Sequence, residues 1–265
     1  SPANIMRLLE IVVPDKVSND VVATGFYLAK KMKKIPVIAG VCDGFIGNRI
    51  LDKYGDCAFH MMEDGVTPYE IDKAIYDFGY PMGPFQMFDL AGGDIGWAKR
   101  KRQVKFNNVE TRYVNIPDIL CEKGWFGQKT GRGYYRYDKG NRKGDKDPEV
   151  LELINAERQK KGIIPKKYSQ DEIIRRYMAA MINEAANVVF EKIARRPSDI
   201  DVAKLFGYGF PRYRGGPMKY ADQYGLDNIL DDLKIFQKED PTFWTPSELI
   251  KNLVKKGDNF ESLNK

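Results

Sequence analysis

Apolar and polar positions follow two different rhythms along this chain. Residues 5 to 13 (IMRLLEIVV) make a short run rich in Ile, Leu and Val, closed by Pro14 and Asp15, and predict a buried strand. Asn19 is expected to cap the next helix. Its apolar positions Val21, Val22, Phe26, Leu28 and Ala29 lead into a lysine-rich end at residues 30 to 34, which suits the negative end of a helix dipole. IPVIAGV (35 to 41) is a second strand-like run, so strand, crossover helix and strand read as the closing part of a βαβ sheet. From Gly44 the rhythm lengthens to the helical period. Phe45, Ile46, Ile50, Tyr54, Cys57, Ala58, Met61 and Met62 share one face, with Asp43 as the expected N-cap. The same period returns from Asp171 in Ile173, Ile174, Tyr177, Met178, Met181, Ile182, Ala185, Val188 and Val189.

The segments after the two long helices are also alike. P-Y-E-I-D (68 to 72) leads to G-Y-P (79 to 81), G-P (83 to 84) and Asp89; P-S-D-I-D (197 to 201) leads to G-F-P (209 to 211), G-P (216 to 217) and Asp222. The same ordered series appearing twice predicts an internal duplication, with the length differences confined to loops. The fold class expected is mainly α: residues 1–42 form the end of a Rossmann-type α/β domain, 43–146 a first helical domain and 147–265 its duplicate. The Gly- and Lys-rich stretch 125 to 147 between the copies reads as surface loops running into a linker.

Composition changes this picture little. At 43% hydrophobic, 30% charged and 12% aromatic, the 265 residues match a globular protein with room for two modest cores. The three cysteines, Cys42, Cys57 and Cys121, are widely spaced and have no metal-site spacing, so free thiols in a reducing, intracellular setting are expected and no metal is assigned. A net charge of +6 is scattered among lysines rather than gathered into a stripe, which argues against nucleic acid and suits a phosphate-bearing small ligand. No apolar run approaches the ~20 residues of a membrane span. The C-terminal Ser-Leu-Asn-Lys is not the Ser-Lys-Leu peroxisomal address.

Candidate chemistry is sparse. Glu10 puts a carboxylate among Leu8, Leu9, Ile11 and Val12. Either it has a partner, for which an imidazole is suited, or its side chain reaches solvent at an open edge. Asn48 comes after G-F-I-G in a first helical turn, where an asparagine caps, faces water or donates its amide to a ligand carbonyl. His60, the single histidine, lies between Phe59 and Met61 and reads as structural. Neither a G-x-G-x-x-G nor a P-loop signature is present, nor a G-x-S-x-G elbow.

Taken together, SPANIMRLLEIV, DGFIGNRI, DFGYPMGPFQMFDLAGGDIGW and FGQKTGRGYYRY resemble, in order, the L-3-hydroxyacyl-CoA dehydrogenases of fatty-acid β-oxidation over nearly the whole chain. The duplication further resembles the multifunctional β-oxidation enzymes. The resemblance implies NAD-dependent oxidation of an (S)-3-hydroxyacyl-CoA to the 3-oxoacyl-CoA. By position it makes Ser1 a cofactor contact, Glu10 the glutamate that orients a catalytic histidine three residues ahead of Ser1, Asn48 a substrate contact near the reacting carbon, and Lys129 of G-Q-K-T-G a cofactor-side lysine. Neither that histidine nor the family's nucleotide-binding motif and upstream serine is among these residues. The start without Met reads as a fragment or processed product, and the chain alone is expected to be inactive.

Arg176 aligns with Asn48 in the second copy, which implies one active site and a scaffold role for the duplicate. Relatives are expected to carry a tyrosine near Phe206, whose hydroxyl Phe would remove. The partners implied are an acyl-CoA, an enoyl-CoA hydratase domain ahead of this region, and no nucleic acid. The tandem copy is expected to give a monomer with an internal pseudo-dimer. The compartment implied is the cytoplasm in a bacterium or the peroxisome in a eukaryote. The alternative is a non-catalytic helical module for acyl-CoA binding or assembly.

Overall fold

In the computed structural model, residues 3–103 and 112–265 are described. The opening apolar runs become two strands, β1 (Leu8–Val12) and β2 (Ile35–Ala39), paired in parallel with Glu10 opposite Val37. Between them runs α1 (Asn19–Lys31). Ser18, not Asn19, occupies its N-cap, without a side-chain bond; Asn19 is already helical, and Asp20 and the terminal lysines complement the dipole instead. Gly25 brings α1 close to β1, since a Cβ there would stand 3.3 Å from Ile11 Cγ2. Helix α1 leaves Val21, Phe26, Tyr27 and Leu28 exposed.

The rest is helical. The chain forms two compact units, 1–54 with 175–265, and 55–174. Both unit boundaries fall inside the long helices, α2 (Gly47–Asp64) and α8 (Gln170–Phe190). The division at 42/43 and 146/147 therefore stands as our proposal for the units of duplication, not as a description of packing.

The second unit contains α3 (Pro68–Phe78), α4 (Pro84–Ala91), α5 (Gly93–Gln103), α6 (Ile116–Glu122), the short pair β3 (Tyr135–Arg136) and β4 (Asp145–Lys146), and α7 (Pro148–Lys160). A reciprocal capping box between Thr67 and Glu70 opens α3. The stretch read as loops running into a linker is packed in part, with residues 138–140, 142–143 and 145–146 exposed. Tyr134 and Tyr135 are buried, Arg132 lies 3.5 Å above the Trp125 ring, and the fully buried Asp147 pairs with Arg132. Helix α7 is tied to α2 through Arg158. Its guanidinium donates to the carbonyls of Met62 and Glu63, which the end of α2 leaves without helical partners, and to that of Val66 just beyond the helix.

The first unit holds α8, α9 (Pro197–Gly207), α10 (Pro217–Tyr224), α11 (Leu226–Gln237), α12 (Glu248–Lys256) and a closing 3-10 turn, Phe260–Leu263. The duplication has a physical signature in carboxylates that receive paired backbone N–H groups, buried at Asp72 and Asp89 and half-buried at Asp201 and Asp222. Asp72 accepts from the Phe85 and Gln86 N–H groups at the start of α4, and Asp201 accepts from Met218 and Lys219 at the start of α10. Likewise Asp89 accepts from Tyr134 and Tyr135, and Asp222 from Phe260 and Glu261. Each copy thus fastens its second short helix and its closing segment with the same pair of aspartates.

Candidate functional site

The head of α2 has to solve two problems at once. A helix start leaves backbone N–H groups without partners and carries partial positive charge. The turn leading into it also includes Phe45 at φ 49, a left-handed conformation that costs a side-chain-bearing residue about 1 kcal/mol. Asp43 is exposed and stands before the helix; it is not the cap. Instead Glu10 reaches from β1, and its Oε1 accepts from Ile46 N at 2.9 Å and Gly47 N at 3.1 Å. The carboxylate in the greasy strand is half-buried and, among the described residues, is not bound to an imidazole. It anchors the turn that presents Asn48.

Asn48 is exposed on the first turn of α2, and its Oδ1 accepts from the Tyr208 hydroxyl at 2.8 Å. Tyr208 is the residue that closes α9. Its ring comes so near the helix that a Cβ on Gly47 would fall 2.3 Å from the phenol oxygen, so only glycine fits there. Under that ring lies Lys204, fully buried. Its Nζ is 4.0 Å from the Tyr208 ring centre and donates to Tyr54 Oη at 3.2 Å. Burial pushes the Lys204 ammonium well below its ordinary pKa, against the pull of the Glu10 and Asp52 charges. Burial, reinforced by the same carboxylates, raises the Tyr208 phenol, which therefore stays protonated as a donor.

Arg49 secures the same turn from outside. It pairs with Glu184 at 2.6 Å and, bidentately, with Glu191 at 2.6 and 2.8 Å, contacts that hold it charged. Arg176, at the duplicate's position, is buried, ion-paired with Glu239 at 2.7 Å and set 4.3 Å from the Phe236 ring centre. Phe206 receives the guanidiniums of Arg7 and Arg212 on its ring. Two residues further on stands Tyr208, whose hydroxyl bonds Asn48.

The other expected site residues fall elsewhere. Lys129 belongs to the 55–174 unit, on the 3-10 turn Gln128–Thr130, and pairs with Asp94, whose carboxyl it holds below the usual range. The glycines around it have a packing role, for a Cβ on Gly133 would lie 2.0 Å from Asp89 Oδ1. Ser1 lies outside the described residues. His60 is buried in α2. Among the described residues no group of three metal-ligating side chains converges, and no helix is long and apolar enough to cross a membrane.

A short parallel α/β segment followed by a helical block used twice, with one polar cluster at the head of its first long helix, defines a duplicated helical-domain protein. The chain belongs to the 3-hydroxyacyl-CoA dehydrogenase family: the family's C-terminal domain model matches it twice, over residues 44–137 and 173–262. It is 44% identical over 271 residues to a peroxisomal bifunctional enzyme of Danio rerio, covering 97% of this chain and 38% of that protein. The chain thus spans under two-fifths of the length of that curated relative. Its fold matches the dehydrogenase part of multifunctional enzyme 1 from C. elegans with a TM-score of 0.71 and 28% identity, over 95% of this chain and 57% of that one. It also matches 3-hydroxybutyryl-CoA dehydrogenase from Escherichia coli at a TM-score of 0.75, over 97% of this chain and 69% of that one. At 22% identity, the latter likeness shows the fold alone.

Proposed function

We propose that the head of α2 is this chain's share of a 3-hydroxyacyl-CoA dehydrogenase centre, which oxidises an (S)-3-hydroxyacyl-CoA to its 3-oxoacyl-CoA. The observation that carries the reading is the Glu10 bridge. It joins the strand carboxylate to Gly47, 37 residues along, and so brings the two residues with candidate chemistry to one place.

In this reading Asn48 donates its amide N–H to the oxygen on the reacting carbon, holding it in line and stabilising charge that builds there. Glu10 serves the turn through Oε1, and the role we assign its second oxygen is to accept an imidazole N–H from a histidine of the natural polypeptide. A carboxylate in that role fixes the tautomer and stabilises the imidazolium formed when the ring takes the hydroxyl proton. NAD is the electron acceptor we assign. The described residues do not by themselves fit a dinucleotide, because they include no glycine-rich phosphate loop and Lys129 is already engaged by Asp94. No step is therefore derived through it.

An acyl-CoA is the substrate class, in keeping with the names of the relatives. Those names also specify peroxisomal and glyoxysomal enzymes, and we assign this chain to the same kind of compartment. The tandem copy supports a monomer.

The test is acetoacetyl-CoA reduction by NADH in the natural full-length polypeptide. Glu10→Gln is expected to lower kcat on the order of 100-fold with KM nearly unchanged. Undiminished turnover would remove Glu10 from the mechanism. Acyl-CoA binding without turnover in the unsubstituted protein would favour the non-catalytic module.

A further inference from the structure

We propose that Tyr208 is a positioning residue for Asn48, so that the second helical copy contributes a group to the substrate site built on the first. This rests on the reading that Asn48 touches substrate.

Three features of the geometry point the same way. An exposed asparagine amide on a first helical turn is free to rotate, and a free rotor is a poor donor for catalysis. Here the phenol hydroxyl of Tyr208 donates to Oδ1 at 2.8 Å. With the oxygen engaged, the NH2 group faces the opposite way, where a substrate oxygen can accept from it. The hydroxyl is itself held, because the Tyr208 ring is clamped between the bare backbone of Gly47 and the Lys204 amine beneath it. The residue also lies where the copies diverge. From Asp201 to Pro211 the second copy is one residue longer than the first from Asp72 to Pro81, and the extra residue falls just after α9, beside Tyr208. Phe210, the counterpart of Tyr80 in G-F-P, is buried as Tyr80 is, and the residue two places before it, Tyr208, is the one whose hydroxyl meets the amide.

Tyr208→Phe removes the hydroxyl and leaves the ring, so packing is kept. In the natural full-length polypeptide, with acetoacetyl-CoA and NADH, it is expected to lower kcat about 10-fold while KM stays within about two-fold. Placed on Asn48→Ala, the same change should alter kcat less than about two-fold, because the group it orients is gone. Equal losses in both backgrounds, or no loss in either, would overturn the proposal.

A second readout does not depend on turnover. In 15N spectra of the 265-residue chain, Tyr208→Phe should move the Asn48 side-chain NH2 signals and narrow the gap between the two protons; unchanged signals would overturn the positioning role. Asn48→Ala with full turnover would instead refute the substrate role of Asn48, and an altered NH2 spectrum would still stand as evidence of the Tyr208 contact.

Discussion

Lys204 keeps an amine inside the protein, between the rings of Tyr54 and Tyr208, where a charge is poorly solvated. Its depressed pKa has a consequence for stability. Between the folded and the unfolded pKa, the unfolded chain binds one proton more, so stability rises as the pH climbs toward about 10. Lys204→Met should remove that slope and unfold at higher urea at neutral pH, measured by denaturant titrations across the range. Identical slopes in parent and variant would mean that the amine does not titrate.

Glu10 and Asn48 are legible in the sequence because a charge in an apolar strand and an amide after a glycine turn each break a local pattern. Tyr208 and Lys204 break none. An aromatic in a glycine-proline loop and a lysine in an amphipathic helix are ordinary, and only the fold shows which ring meets Gly47 and which amine loses its water. The one-residue length difference ahead of G-F-P is the available signal, but in sequence it reads as a cheap insertion.

Helix starts are where this chain uses its acids, and the departures of structure from pattern cluster there. Asp43 and Asn19 both have the right chemistry for a cap, yet α2 is closed by a carboxylate from a strand and α1 begins at Ser18. A cap delivered from elsewhere in the chain leaves no spacing to detect. The glycines at 127 to 133 read as a loop running into a linker, but Asp89 occupies the space a side chain would need at two of them, with its backbone at Gly127 and its carboxylate at Gly133.

The aspartate fasteners give a prediction of their own. Burial raises Asp72 and Asp201 to about 7, although backbone N–H donors oppose it. A carboxyl whose folded pKa is raised holds its proton longer folded than unfolded, so its contribution to stability declines as the pH rises from about 4 through 7. Carboxyl 13C titration should show these two residues titrating together, well after the surface carboxylates. Titration of both near the ordinary value, about 3.9, would mean that the N–H donors outweigh burial.

At the scale of the molecule, the duplication is readable because both copies must fasten the same helices with the same residues, and an aspartate that accepts from two backbone N–H groups tolerates little change. The grouping of 1–54 with 175–265 is not readable, since it cuts through two helices whose apolar period runs on without a break. Nor does periodicity show that the second copy lends Tyr208 to the first copy's asparagine.

The most direct measurement is a crystal structure of the natural full-length polypeptide with acetoacetyl-CoA and NAD. It should place the 3-oxo oxygen about 3 Å from Asn48 Nδ2, with Tyr208 still on Oδ1 and a histidine ring nitrogen against Glu10. An acyl group bound away from the head of α2, with Asn48 facing water, would contradict it.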